Sequence, residues 1–235
     1  MGNTESIQSS KGKLLVTGAS GFIAGHCILD LLDHGYEVRG TVRNMARAAD
    51  LRSHLLAHSK LASNIEFVEA ELTDAGCWDQ AVDGCNGVFH IASPVPTILP
   101  KSPERLVAQA KNGAVNVIEA ASRAGIKRIV VTSSILAVTD TEKVKERTYI
   151  STDWADPMDP KLNSYALSKT LSEKAAWNLA DKNNLEMAVV NPGMVLGPAL
   201  EPDYGSSLEA VNKFLTGAVP MIPKIGYDIV DVRDV

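Results

Sequence analysis

Tyr165 and Lys169, in the stretch "SYALSK", are two residues whose types and spacing could do acid–base chemistry together. Four residues apart in a helix, they share one face. A tyrosine hydroxyl ordinarily titrates near ~10, too high to exchange protons freely at neutral pH. A neighbouring ammonium favours the phenolate and is expected to lower that value. Tyr165 would then pass a proton to a carbonyl oxygen, Lys169 would tune it, and a serine hydroxyl would orient the same oxygen. Ser133 and Ser134, which close the run "IVVTSS", are the candidates for that hydroxyl. The spacing alone also describes two ordinary residues at the start of a helix, so the surrounding elements must decide between the readings.

Those elements alternate. "KLLVTG" reads as a short buried strand running into a turn, and "FIAGHCILDLLDHG" as a helix stopped by Gly35. "YEVRGTVR" is a second strand and "NMARAADLRSHLLAHSK" a second helix. "IEFVEA", the short helix "DAGCWDQAVDG", the apolar strand "GVFHIA" and a long helix ending at Gly125 follow. "KRIVVTSS" is the fifth strand, "NSYALSKTLSEKAAWNLADKN" a long helix capped by Asn163 or Ser164, and "LEMAVVNPG" the next strand. Strands alternating with helices predict an α/β fold: a Rossmann-type, doubly wound parallel sheet covered on both faces.

The first strand–helix junction carries a second kind of chemistry. "TGASGFIA" places Gly18, Gly21 and Ala24 in a G-x-x-G-x-x-A pattern between a predicted strand and a predicted helix. Gly18 permits a tight turn, Gly21 lets the backbone approach a pyrophosphate, and Ala24 lets the helix pack on the strand. Phe22 and Ile23 open that helix, whose free N–H groups suit phosphates. The second strand ends in Arg43 rather than an acidic residue, which favours NADP(H) over NAD, because a guanidinium can clamp a 2′-phosphate. Arg47, one turn on, could assist. Glu71 and Leu72 follow the third strand, where an adenine would lie, and Ala92 and Ser93 follow the fourth. His90, inside an apolar strand, reads as a core or supporting residue.

"TGASGFIA", "VRN", "HIASP", "VTSS", "YALSK" and "NPGMVLGP" occur in the order seen in extended short-chain dehydrogenases/reductases, of the NAD-dependent epimerase/dehydratase superfamily. The chain most resembles the dihydroflavonol 4-reductase-like branch. The resemblance implies a Ser-Tyr-Lys triad of Ser134, Tyr165 and Lys169, with Ser133 the lesser serine candidate. It implies that Arg43, Tyr165 and Lys169 touch NADP, and that Pro192, Gly193 and Val195 lie along the nicotinamide. Three positions depart from relatives' patterns. Thr139 stands near the point where plant dihydroflavonol reductases carry a substrate-binding asparagine. "LNSYALSK" lacks the Trp-Tyr-Cys stretch of plant cinnamoyl-CoA reductases, and Ala110 falls where many extended members carry an asparagine.

Composition sets the outer bounds. The 235 residues carry a net charge of −5, which argues against a nucleic-acid surface. Cys27, Cys77 and Cys85 show neither a disulfide framework nor metal-ligand spacing, so no metal and a reducing, cytoplasmic compartment are expected. There is no apolar run of transmembrane length. Residues 1–12 read as a flexible polar leader, although "MGNTES" also fits a myristoylation pattern and would give a weak anchor at Gly2. Residues 13–191 form the expected dinucleotide-binding domain, and 192–235 an incomplete substrate region with apolar surface left bare. The expected function is NADP(H)-dependent reduction of a small ketone or aldehyde. A sugar-nucleotide epimerase or dehydratase and a non-catalytic NADP-binding fragment are the alternatives, and a homodimer through the long helices is compatible with each.

Overall fold

The computed structural model describes residues 10–95, 100, 102–139, 147–202, 205–221 and 226–235. Gly2 and most of the leader lie outside the described residues.

Among the described residues, six parallel strands form one sheet. They are β1 (Lys13–Val16), β2 (Glu37–Val42), β3 (Glu66–Glu69), β4 (Gly87–His90), β5 (Arg128–Thr132) and β6 (Glu186–Val190). Their spatial order is β3-β2-β1-β4-β5-β6, as the alternation predicts for a doubly wound fold. The order reverses between β1 and β4, which pair Val16 with Phe89. Successive residues of β1 point to opposite faces. Leu15 joins a core with Val88, Val117, Ile118 and Ile129. Val16 joins the other core, with Ile28, Val38, Leu51 and Leu55. Both faces are therefore apolar and covered, by α1 (Phe22–Asp33) and α2 (Ala48–Leu56) on one side. The other side is covered by α3 (Trp78–Val82), α4 (Glu104–Arg123) and α5 (Ser164–Asn183).

The helices begin and end where local chemistry dictates. Asn163 caps α5 by accepting a hydrogen bond from the Ala166 N–H at 2.9 Å. Two predicted helices are broken up. The second runs as a 3-10 turn at Met45–Arg47, then α2, then a further 3-10 turn at Lys60–Asn64. Asn44 and Ser59 accept hydrogen bonds from backbone N–H groups two residues on, at 2.8 and 3.3 Å. Such local bonds compete with a continuous helix. Asp74 does the same to Gly76 and delays α3 to Trp78.

After β6 come β7 (Met194–Leu196), α6 (Gly205–Leu215) and β8 (Ile229–Asp231), with β7 and β8 pairing as a separate parallel ribbon. α6 buries none of its residues. Leu215 and Met221 are 81% and 78% exposed, and Tyr227 and Ile229 are largely exposed too.

Gly40, inside β2, decides how closely the first turn approaches the sheet. A Cβ there would lie 2.8 Å from the Ala19 Cβ and 3.2 Å from the Phe67 ring. Gly40→Ala is expected to lower the stability by about 1–3 kcal/mol through overpacking. Urea unfolding checks this, and an unchanged midpoint with an unchanged slope would contradict it.

Candidate active site

In a parallel sheet all strands end on one edge, and the residues singled out in the sequence follow those ends. Gly18 follows β1, Arg43 β2, Glu71 and Leu72 β3, Ala92 and Ser93 β4, Ser133 and Ser134 β5, and Pro192 β6. Topology thus gathers residues up to about 175 positions apart at one edge.

The glycine turn is held from both sides. Gly18 has φ +69°, a conformation that disfavours side chains, and its N–H donates to the Thr41 hydroxyl at 2.9 Å. The Ala19 N–H donates to the Thr41 carbonyl at 2.8 Å, and the Gly21 N–H closes the turn on the Gly18 carbonyl at 2.8 Å. Thr17 joins this turn to the end of β4. Its hydroxyl oxygen accepts from the Ile91 and Ala92 N–H groups at 3.0 and 2.9 Å and lies 3.0 Å from His90 Nδ1. With both acceptor positions taken, the Thr17 O–H donates to His90 Nδ1, which fixes His90 as the neutral tautomer protonated at Nε2. Burial, with the nearby Lys169 ammonium, pushes the His90 pKa down to about 3. His90 is a structural residue, as its apolar strand suggests.

These features fit a dinucleotide. Gly18 and Gly21 keep side chains away from the turn, and α1 begins immediately behind it. Arg43 is exposed at the end of β2 and makes no ion pair among the described residues, so its guanidinium is available to a phosphate. Arg47 is engaged elsewhere. It pairs with Glu201 at 3.2 Å, and His54 lies 3.7 Å from the same carboxylate, fastening the segment after β7 to α2. Arg47, expected to assist Arg43, is thus turned toward Glu201 in this structure. Leu72 is held by the Asn116 side chain, which donates to its carbonyl at 2.8 Å, and Gly113 of α4 leaves room for it.

The reactive cluster lies at the ends of β5 and β6 and the start of α5. Ser134 stands beside Tyr165, where its hydroxyl favours the phenolate, and the Ser134 Oγ accepts from the Leu136 N–H at 3.2 Å. The Ser133 hydroxyl is buried with no hydrogen-bond partner among the described residues. Of the two serines, Ser134 is the one beside Tyr165. Lys169 is 6% exposed, its Nζ 3.4 Å from the Thr132 carbonyl and 5.9 Å from the centre of the Tyr165 ring. Burial drives its pKa down to about 8 against the opposing pull of Glu173.

Tyr165 behaves differently from the expectation. Burial raises its pKa above the ordinary value, and the Ser134 hydrogen bond only partly offsets this. The ammonium does not dominate, because desolvation of a phenolate costs more than one bond returns. At neutral pH Tyr165 therefore holds its proton, which is the form a proton donor needs.

Among the remaining sequence candidates, Pro192 accepts from the Ile135 N–H at 3.0 Å, tying β6's exit to the serine turn. Gly193 lies against the Asp228 carbonyl, which leaves no room for a Cβ. Val195 is buried in β7 opposite Val230. Glu71 is exposed, and Phe22 and Gly21 border a small cleft with His54 and Leu200. Sequence reasoning misses Thr17, Gly40, Glu173 and Asn191. Glu173 is visible there only as a carboxylate four residues beyond Lys169.

Comparison with known proteins agrees with this geometry. The family model described as NAD dependent epimerase/dehydratase family matches residues 14–235. Cinnamoyl-CoA reductase 1 of Arabidopsis thaliana is 40% identical over 233 residues, covering 97% of this chain and 66% of that protein. A bifunctional dihydroflavonol 4-reductase/flavanone 4-reductase of Malus domestica is 34% identical, covering 91% and 61%. The chain thus spans about two thirds of the length of the curated relatives it matches. Among solved structures, the yeast methylglyoxal/isovaleraldehyde reductase Gre2 complexed with NADPH superposes with TM-score 0.82 at 27% identity. That match covers 94% of this chain and 71% of the yeast chain.

The raised Tyr165 pKa yields a direct test. In an ultraviolet pH titration, with Tyr165→Phe as the difference standard, this phenol is expected to ionise above the ordinary tyrosine range. Ser134→Ala should raise it further, because the hydrogen bond that favours the phenolate is lost. A Tyr165 that ionises below the other tyrosines would overturn the electrostatic picture.

Proposed function

Because the chain belongs to the NAD dependent epimerase/dehydratase family, we propose that it binds NADP(H) and reduces a ketone or aldehyde carbonyl to an alcohol. The observation that carries this reading is the Ser134 hydroxyl beside Tyr165, with the buried Lys169 ammonium one turn on, next to a glycine turn built for phosphates. The names of the relatives support it: reductases recur among them, and one solved neighbour is an NADPH complex.

Gly18 and Gly21 would hold the pyrophosphate at the start of α1, and Arg43 the 2′-phosphate. Bound NADPH would supply the hydride. Ser134 orients the substrate oxygen, and Tyr165 donates the proton that converts the developing alkoxide to an alcohol. The Lys169 ammonium then stabilises the phenolate left behind. Residues 13–191 act as the nucleotide-binding part, and residues 192–235 contribute to the substrate side. The substrates are small carbonyl compounds. No helix among the described residues is long and apolar enough to cross a membrane.

The test is to titrate purified protein with NADPH and follow its oxidation with aldehydes, 2-oxo aldehydes, aryl acyl-CoA thioesters and dihydroflavonols. Tyr165→Phe is expected to reduce turnover by about 100-fold or more, the scale of a lost general acid. Arg43→Ala is expected to weaken NADPH binding by about 10- to 100-fold and NADH binding little, because a charge-assisted hydrogen bond is worth about 1.5–3 kcal/mol. Undiminished turnover in the first variant, or equal losses for both cofactors in the second, would contradict these roles.

A further inference from the structure

One buried charge has no part in the chemistry described so far. The packed face of α5 runs through Ala166, Lys169, Glu173, Ala176 and Ala180, all buried. At that spacing the stripe should be apolar throughout, yet it carries an ammonium and, one turn on, a carboxylate 5% exposed. A carboxylate removed from water persists only if something compensates it. Glu173 has two hydrogen bonds: Oε1 accepts from Trp177 Nε1 at 3.4 Å and Oε2 from Asn191 Nδ2 at 2.8 Å. The same Asn191 Nδ2 donates to the Ser134 carbonyl at 3.1 Å. Asn191 stands one residue past β6, so a carboxylate on α5 is joined through it to the turn after β5.

Glu173 and Lys169 also line one small cavity, together with His90, Ala110, Ser133 and Ser172. The groups facing Lys169 there can be taken element by element. β4 contributes His90, held neutral by Thr17. β5 contributes the Thr132 carbonyl and the uncharged Ser133. α4 contributes Ala110, whose carbonyl accepts from Ser172 at 3.1 Å. α5 itself contributes Tyr165, which keeps its proton, and Glu173. Among the described residues, Glu173 is thus the anion that lines this cavity with Lys169.

We infer that Glu173 is a positioning residue for this site: its buried carboxylate keeps Lys169 an ammonium and, through Asn191, fixes the backbone of Ser134. The inference rests on the proton-transfer reading for its functional meaning, but not for its test. Burial alone drives Lys169 toward the neutral amine, and Glu173 opposes this. Without the carboxylate, less of Lys169 would be charged at neutral pH, and the phenolate of Tyr165 would lose its stabilising cation.

The experiment is an NMR titration of the Lys169 Cε–H resonance in the free protein, assigned by its loss in Lys169→Arg. No turnover is needed, so an inactive chain would sink the proposed function without touching this result. Glu173→Gln is expected to lower the Lys169 midpoint by on the order of one pH unit. Glu173→Asp, which keeps the charge, should restore most of it. Glu173→Met removes the same charge if the Gln variant does not fold, and carries the same expectation. In the active protein the alkaline limb of kcat/KM should move to lower pH in the neutral variants and return in the Asp variant. An unmoved midpoint, or equal shifts in the Asp and neutral variants, would overturn the proposal.

Discussion

An ammonium held out of water beneath the carboxyl edge of a parallel sheet is the constraint on which this site depends. Lys169 sits where a packed helix would ordinarily place an alanine or leucine. Its charge survives there because the Thr132 carbonyl and the Glu173 carboxylate stand against the cost of burial. That arrangement requires α5 to lie close on the ends of β5 and β6. The closeness comes from small residues: Ala110, Gly113, Ala114 and Ala121 of α4 and Ala176 and Ala180 of α5 are all buried. The hydrophobic core, which has no chemistry of its own, thereby sets where the reactive groups stand.

The two halves of the site meet at Thr17. One hydroxyl takes two backbone N–H groups from the end of β4 and gives its proton to His90. It locks the strand that borders the glycine turn to the strand that borders the Lys169 cavity. A histidine in a reactive cleft invites a catalytic reading. Here the hydrogen-bond accounting leaves it neutral and structural, and the proposed acid–base role goes to a tyrosine whose proton is kept on by burial. Burial thus acts in opposite senses on the two partners: it keeps Tyr165 protonated and makes Lys169 easier to deprotonate.

Much of this is legible in the sequence, for identifiable reasons. The strand–helix alternation, the glycine turn and the pairing of Tyr165 with Lys169 are local patterns, and a parallel fold brings strand ends to one edge whatever their separation. The choice of Ser134 over Ser133 comes from resemblance; what the fold adds is that Ser134 stands beside Tyr165. What escapes is set by contacts across the fold. Arg47 is free for a phosphate on sequence grounds, but Glu201, more than 150 positions away, pairs with it. Spacing makes Tyr165 look acidified by its neighbour, because it shows the ammonium and not the depth of burial. Gly40 looks like an ordinary strand residue until Ala19 is found against it. The second helix breaks where Asn44 and Ser59 bond their own backbones, a competition that apolar periodicity does not register.

The central claim is that this cluster moves a hydride and a proton onto a carbonyl. The most direct measurement follows the label in the product formed from phenylglyoxal, a small 2-oxo aldehyde, with NADPH deuterated at the nicotinamide C4. The expected product is an alcohol carrying one deuterium on its carbinol carbon, with the hydroxyl proton drawn from solvent. An alcohol free of label, or NADPH that binds and yields no alcohol from phenylglyoxal or any other carbonyl compound tried, would contradict it.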